Sequence, residues 1–117
     1  MRKTAILGAL LIVLTLPTTA YAATPKIIQI FPSLSFSGTT AKCAVTVYAD
    51  NSSDAIFAEL KLWEEDTCLA TWTKSSNGYM NFTTTETVMQ GNAYKLTAEV
   101  TINGVTRPIL SVSGICK

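Results

Sequence analysis

The amino-acid sequence predicts an all-β protein, an antiparallel β-sandwich of about seven strands. Short segments alternate apolar and polar residues at period two, which is the pattern of a strand with one buried and one exposed face. Polar turn-forming residues separate these segments at spacings near ten residues. No stretch beyond residue 22 has the period of an amphipathic helix. Together these observations favour two packed sheets in a single domain.

The N-terminus has the features of a secretory signal peptide. Two cations precede an apolar run from Ala5 to Leu16, and Ala20-Tyr21-Ala22 fits a cleavage site. The run is shorter than the about 20 residues that span a bilayer as a helix. We therefore expect a signal peptide at residues 1–22 and one domain at residues 23–117. The product should be secreted, with no membrane segment after cleavage.

The first half of the domain contains three predicted strands. Pro32 follows the apolar segment Ile27–Phe31, which indicates an edge strand because proline cannot donate to a sheet ladder. Residues 42–49 and 56–63 alternate cleanly, and turn-forming residues follow them at 50–54 and 64–66. We expect the following side chains to face the core: Cys43, Val45, Val47, Ala49, Ile56, Ala58, Leu60 and Leu62.

The next part of the chain predicts two further strands and the loop between them. Cys68–Thr73 is a short alternating segment with Cys68, Ala70 and Trp72 on one parity. Lys74–Gly78 is rich in turn formers, so we expect a loop there. Tyr79–Val88, rich in threonine and aromatic residues, is expected to form a strand.

The last part of the chain predicts a β-hairpin. Residues 94–102 alternate at strict period two, with Tyr94, Leu96, Ala98, Val100 and Ile102 on the apolar face. Asn103-Gly104 then supplies a two-residue turn with positive φ at both positions, the strongest short-range hairpin signal. Val105–Ile115 is expected to return as the partner strand, with Pro108 placing it near a sheet edge.

The composition excludes several classes of function. The chain has no histidine, so histidine-based nucleophile systems and zinc sites cannot be assembled. It has no phosphate-binding glycine motif and no C-x-x-C pair. With Arg2 and Lys3 removed from the nine basic residues, the eight acidic residues leave a net charge of −1, which argues against nucleic-acid and anionic-membrane partners. We predict no enzyme activity, no cofactor and no metal; a hydrolase built on carboxylates is the remote alternative.

Three widely spaced cysteines, Cys43, Cys68 and Cys116, are candidates for a disulfide in an exported protein. The strand order brings all three toward one pole of the sandwich, so each pairing is conceivable. We favour Cys43–Cys116, because the second strand packs opposite the sheet that holds the last one. Alternatively, Cys43 is a buried thiol, or the unpaired cysteine links two molecules.

Three aromatic residues, Tyr48, Phe57 and Trp63, fall on the outward parity of their strands. Exposed aromatic side chains on a sandwich face can stack on sugars or anchor a protein partner. A one-residue slip at a bulge would place them in the core instead. We treat the three as a possible binding face.

The spacing Gly91-x-x-Tyr94-x-Leu96 resembles the sixth strand of immunoglobulin-like domains, in which a tyrosine forms the tyrosine corner. Leu96 stands where the second cysteine of antibody-type domains would be. With Cys43, Leu62 and Trp72-Thr73, the chain resembles the small secreted immunoglobulin-like proteins of Gram-positive bacteria. The resemblance implies an immunoglobulin-like sandwich outside the cell and a tyrosine-corner role for Tyr94.

These observations predict a secreted, non-catalytic binding module whose partner is an extracellular protein or a glycan. A second hypothesis is an extracellular structural or inhibitor-like protein that acts through an edge strand or through the loop at residues 50–54. The two differ in the surface they need, since the first requires an exposed face and the second a rigid loop or a free strand edge.

Overall fold

A computed structural model describes residues 28–117, and within this range the protein is an all-β antiparallel sandwich. The predicted signal peptide at residues 1–22 lies outside the described residues. Eight strands are present where about seven were expected: β1 Gln29–Ser37, β2 Thr40–Tyr48, β3 Ala55–Glu64, β4 Thr67–Asn77, β5 Tyr79–Thr87, β6 Ala93–Ile102, β7 Val105–Thr106 and β8 Leu110–Ile115. The additional strand is the two-residue β7.

The strands form two sheets that pack face to face. One sheet has three strands in the order β1-β2-β5. The other has the order β4-β3-β6, and the free side of β6 pairs first with β8 and then with β7. Every pairing is antiparallel. This architecture is compatible with an immunoglobulin-like sandwich.

The core lies between the inner faces of the sheets, where period-two alternation predicted it. The inward side chains of β2, β3 and β6 are buried, from Cys43 to Val47, from Ile56 to Leu62 and from Tyr94 to Ile102. Ala49 is only half-buried. On β4 the alternation is weaker: Ala70 and Trp72 are half-buried, and Cys68 is exposed. The core prediction is therefore confirmed for the central strands and holds only in part at the edge, where one side of the strand is open to solvent.

The predicted hairpin turn is confirmed. Asn103 has φ +51° and Gly104 has φ +81°, the two left-handed residues that a type I′ turn requires. Ile102 and Val105 pair across it. The hairpin is interrupted after Thr106, because residues 107–109 leave the sheet at Pro108 before β8 rejoins β6 at Leu110.

The predicted loop at Lys74–Gly78 is wrong. β4 continues through Asn77 because Lys74–Asn77 pair with Ala55–Ala58 of β3. The free energy of this pairing overrides the turn preference of serine and asparagine. Only Gly78 turns the chain, with φ +74°, and its N–H donates to the Asp54 carbonyl at 2.8 Å.

Candidate functional site

The outer face of the three-stranded sheet carries a row of three exposed aromatic rings, which we call the aromatic strip: Phe31, Tyr48 and Tyr79. They lie on the consecutive strands β1, β2 and β5. Their side chains are 54%, 44% and 47% exposed. Tyr48 pairs directly with Tyr79, and the centroids of these rings are 5.2 Å apart at an interplanar angle of 51°. Phe31 meets Tyr48 edge to face, with centroids 6.2 Å apart at 73°.

The strip is surrounded by hydroxyl and amide side chains. Gln29 lies opposite Tyr48 on β1, and Thr46 and Asn81 continue the row of Phe31 across the sheet. Farther along the same face the outward positions are mostly serine and threonine: Ser33, Ser35, Ser37, Thr40, Thr83, Thr85 and Thr87. Lys42 is the one charged residue at an outward position of β1, β2 or β5. The strip is therefore an apolar patch in a neutral polar surface.

Phe57 and Trp63 do not share a face with Tyr48, so the predicted three-residue binding face does not exist as one surface. Both lie on β3 and point outward from the five-stranded sheet, on the opposite side of the sandwich. Phe57 is 45% exposed and borders a shallow concavity of about 310 Å³. Trp63 is half-buried, and its Nε1 donates to Thr97 Oγ1 at 3.0 Å. The alternative of a slip that buries the three residues in the core is also wrong.

A pair of carboxylates lies on this second face. Glu59 and Glu99 are directly opposite each other on β3 and β6. With Lys61, Trp63 and Ile109, among others, they line a cavity of about 120 Å³. Small-molecule sites usually enclose about 300–1,000 Å³, so this cavity is small for a substrate. The arrangement supports a carboxylate hydrolase less than the strip supports a binding role.

The three cysteines are free, so the predicted disulfide is not found. Cys116 donates its thiol to the Gly38 carbonyl at 3.1 Å, at the turn between β1 and β2. Cys43 lies three residues into β2, about 10 Å beyond the start of that strand. Bridged cysteines have Cα atoms within about 7 Å, so Cys43–Cys116 would require backbone movement. Cys68 is on β4, at the opposite edge of the sheet from β8.

The thiols differ in their surroundings. Cys43 is fully buried, and burial together with the nearby Glu86 carboxylate raises its pKa from 9.0 to about 11. It therefore stays protonated and behaves as a small core hydrophobe. Cys68 is exposed, with its sulfur 3.5 Å from the Ala70 carbonyl oxygen. Of the three, Cys68 is the thiol open to solvent.

Tyr94 has the geometry of a tyrosine corner. Its ring is buried, and its hydroxyl accepts a hydrogen bond from the Met89 N–H at 2.8 Å, five residues upstream. The ring also contacts Phe36 of the other sheet, with centroids 5.9 Å apart. Tyr94 thereby connects the β5–β6 loop to the core. It lies on the inner face of the other sheet and is not part of the aromatic strip.

Two strip residues, Phe31 and Tyr79, were missed as site candidates in the sequence. Tyr79 falls on the opposite parity from Met80, which is buried, so its outward direction could be inferred from the alternation. Phe31 lies at the end of the predicted apolar segment Ile27–Phe31, whereas β1 continues beyond Pro32 to Ser37, so the alternation that directs Phe31 outward extends past the segment considered. Their approach to Tyr48 depends on which strands pair, and no local pattern contains that information.

Comparisons of the chain with protein-family models, with curated proteins and with solved structures found no match. Among residues 28–117, no helix is long and apolar enough to cross a membrane. The same residues contain no group of three or more side chains suited to hold a metal ion. The functional argument therefore depends on the surfaces described above.

Proposed function

We propose that the protein is a secreted, non-catalytic binding module that engages an uncharged polysaccharide chain through the aromatic strip. The observation that supports this most is the row of three half-exposed rings on consecutive strands. Large aromatic rings at the surface leave apolar area in contact with water, which burial in the core would avoid. A ligand that covers the rings would remove this apolar surface from water.

The chemistry around the rings supports a neutral, hydroxyl-rich ligand. Sugar rings present C–H groups that pack on aromatic rings and hydroxyl groups that bond to amides and hydroxyls. Gln29, Thr46 and Asn81 offer such groups next to the strip. Protein-binding hot spots are enriched in arginine as well as in aromatic residues, and no outward position of β1, β2 or β5 is an arginine.

The ring angles favour a single chain over a flat crystalline surface. The rings are tilted by 51° and 73° to their neighbours, so a flat ligand could lie on the face of only one ring at a time. A flexible chain can adjust the orientation of successive sugar units to each ring. The ligand class is therefore a soluble or single-stranded polysaccharide.

The secreted location is part of the same proposal. The charged start, the apolar run and the small-residue site at residues 20–22 support export. The resemblance to small secreted immunoglobulin-like proteins of Gram-positive bacteria supports it as well. An exported protein would meet polysaccharides outside the cell, which is consistent with the proposed ligand class.

Affinity electrophoresis tests the proposal. The protein is run in native gels that contain a soluble neutral glucan, mannan, xylan or galactan, and its mobility is compared with that in a gel without polysaccharide. We expect at least one of these polymers to retard the protein. The double variant Tyr48→Thr/Tyr79→Thr should lose most of the retardation, because threonine keeps the β-propensity and removes the rings.

Phe57→Thr is the matched control, since Phe57 is equally exposed on the opposite face. It should be retarded like the unmodified protein. No retardation by any of the polymers would contradict the proposal. Equal retardation of the double variant and the unmodified protein would also contradict it, by placing the ligand elsewhere.

A further inference from the structure

The last strand of the five-stranded sheet, β8, has an open side. β8 pairs with β6 along its whole length, and among residues 28–117 no strand pairs with its other side. Within this described part of the chain, the strands β1, β5 and β4 also have one side without a partner strand. An open edge presents unpaired N–H and C=O groups that can pair with another chain. The four edges differ in how they are protected against this.

Three of the edges carry a recognised protective feature. β1 contains Pro32, which removes a donor. β4 has Lys74 opposite the buried Ala58, so a charge occupies an inward-facing position. β5 has Glu86 opposite the buried Ala41, which again places a charge on the inward parity. Proline and inward-pointing charges are common means of preventing edge-to-edge association.

β8 has none of these features. Its sequence, Leu110-Ser111-Val112-Ser113-Gly114-Ile115, contains no charge and no proline, and its register with β6 is continuous. Exposed apolar side chains lie at both of its ends. Ile109 is 60% exposed and Ile115 is 55% exposed, and Leu110 is exposed as well. Among residues 28–117, β8 is therefore the edge strand that has exposed apolar residues but neither a proline nor an inward-pointing charge.

The backbone direction along β8 shows which residues face the open side. The N–H of Cys116 donates to the Asn92 carbonyl at 3.0 Å, so the backbone groups of residue 116 point toward β6. Alternate residues of a strand direct their backbone groups to the same side. Those of Ser111, Ser113 and Ile115 therefore point toward the open side.

We propose that β8 pairs antiparallel with β8 of a second copy of this chain, about a two-fold axis at Val112. In this register Ser111 lies opposite Ser113 of the copy, and Ile109 lies opposite Ile115. Residues whose backbone groups point outward then meet each other, as the hydrogen-bonded pairs of an antiparallel ladder require. The result is a continuous sheet across two molecules, to which each molecule contributes its five strands β4, β3, β6, β7 and β8.

The side chains of β8 are complementary to themselves in this register. Leu110 lies opposite Gly114 of the copy, so a large side chain meets a residue that has no side chain. The ring of Phe36 lies next to Gly114. Ile109 and Ile115, both exposed in the single chain, cover each other. In a two-fold contact residue i meets residue j and j meets i, so a charge close to the axis would lie near the same charge of the copy. β8 contains no charge, so no repulsion arises within the paired strands.

The pairing is independent of the proposed polysaccharide binding. The aromatic strip is on the outer face of the other sheet, so pairing at β8 leaves it open. A dimer would carry two strips and could bind one long polymer at two points, which increases the overall affinity. The interface is short, so we expect a reversible dimer at the weak end of the range for specific contacts.

Sedimentation velocity with a reductant tests the proposal, since reduction prevents a disulfide through the exposed Cys68. We expect a monomer–dimer equilibrium in the concentration range up to about 1 mM. Ser111→Glu/Ser113→Glu places glutamates opposite each other across the two-fold axis. Within one chain Ser113 pairs with Lys95, so the new charge at that position is compensated in the monomer. The dimer dissociation constant should rise at least tenfold.

The matched control is Thr71→Glu/Ser75→Glu, at exposed outward positions of the opposite edge strand β4, and it should dimerise like the unmodified protein. Amide hydrogen exchange gives a second readout: the amides of Ser111 and Ser113 should become protected as the concentration rises. A monomer at all concentrations up to about 1 mM would overturn the proposal. So would a dimer that survives both double substitutions or is lost in both.

Discussion

The side-chain amide of Asn103 holds the buried carboxylate of Asp54. Nδ2 of Asn103 donates to Oδ1 of Asp54 at 2.9 Å, and Oδ1 of Asn103 accepts from the Ala55 N–H at 2.8 Å. The other carboxylate oxygen of Asp54 accepts from the Asn51 N–H at 3.0 Å. These bonds join the β2–β3 loop to the hairpin turn between β6 and β7. The loop at residues 50–54 is therefore fixed by these hydrogen bonds to the hairpin turn at the end of the sandwich.

Asp54→Ala should lower the free energy of unfolding by about 2 kcal/mol, because it removes the two carboxylate hydrogen bonds and leaves the Asn51 N–H and the Asn103 side-chain amide without this acceptor. Urea denaturation at pH 7 measures this. Asp50→Ala, at an exposed position of the same loop, is the control and should change the stability by less than about 0.5 kcal/mol. Equal effects of the two substitutions would contradict a stabilising role for Asp54.

Tyr94→Phe should lower the free energy of unfolding by about 1 kcal/mol. The ring remains in the core, but the Met89 N–H loses its acceptor at 2.8 Å. Tyr79→Phe is the matched control, because the Tyr79 ring is half-exposed on the outer face. Thermal and urea denaturation of the two variants should rank Tyr94→Phe as the less stable. The reverse order would show that the corner hydrogen bond contributes little.

Gly78→Ala should destabilise the protein more than Gly38→Ala. Both glycines have positive φ, which costs an L-residue about 1–2 kcal/mol. A Cβ at Gly78 would also lie 2.7 Å from Cα of Ser52, whereas nothing is within 4 Å at Gly38. We expect the difference between the two variants to exceed about 1 kcal/mol in chemical denaturation. Equal losses of stability in the two variants would mean that the β2–β3 loop shifts away from the new Cβ at no cost in free energy.

The stability of the protein should fall between pH 9 and about pH 11 because of Cys43. Burial raises the pKa of this thiol to about 11, against 9.0 when exposed. Between these values the unfolded chain has lost the thiol proton and the folded chain has kept it, so rising pH favours unfolding. Urea denaturation at several pH values measures the slope. In Cys43→Ala the decline should be shallower, and parallel curves for the two proteins would contradict the assignment.

Much of the fold could be predicted from the sequence, because each central strand has one buried and one exposed face and therefore alternates apolar and polar residues. The alternation from Tyr94 to Ile102 and the turn at Asn103-Gly104 are local signals, and the structure has both. The loop expected at Lys74–Gly78 was wrong because pairing with β3 outweighs local turn preference. Local signals predict single elements well and fail where a partner strand determines the outcome.

The candidate site was predicted only in part, for the same physical reason. Parity indicated that Tyr48 and Phe57 point outward, and both do. It could not indicate that they lie on opposite faces, since this depends on which sheet each strand joins. Nor could it bring Phe31 and Tyr79 beside Tyr48, because their neighbours are set by the order β1-β2-β5.

The most direct test of the account is to locate the ligand contact by NMR. The isotope-labelled protein is titrated with soluble neutral oligosaccharides prepared from glucan, mannan, xylan and galactan. We predict that at least one of them shifts the signals of Phe31, Tyr48, Tyr79 and the adjacent Gln29 and Asn81, and leaves those of Phe57 and Trp63 unchanged. Shifts centred on Trp63, Glu59 and Glu99, or no shifts with any of the oligosaccharides, would contradict the assignment of the aromatic strip as the binding surface.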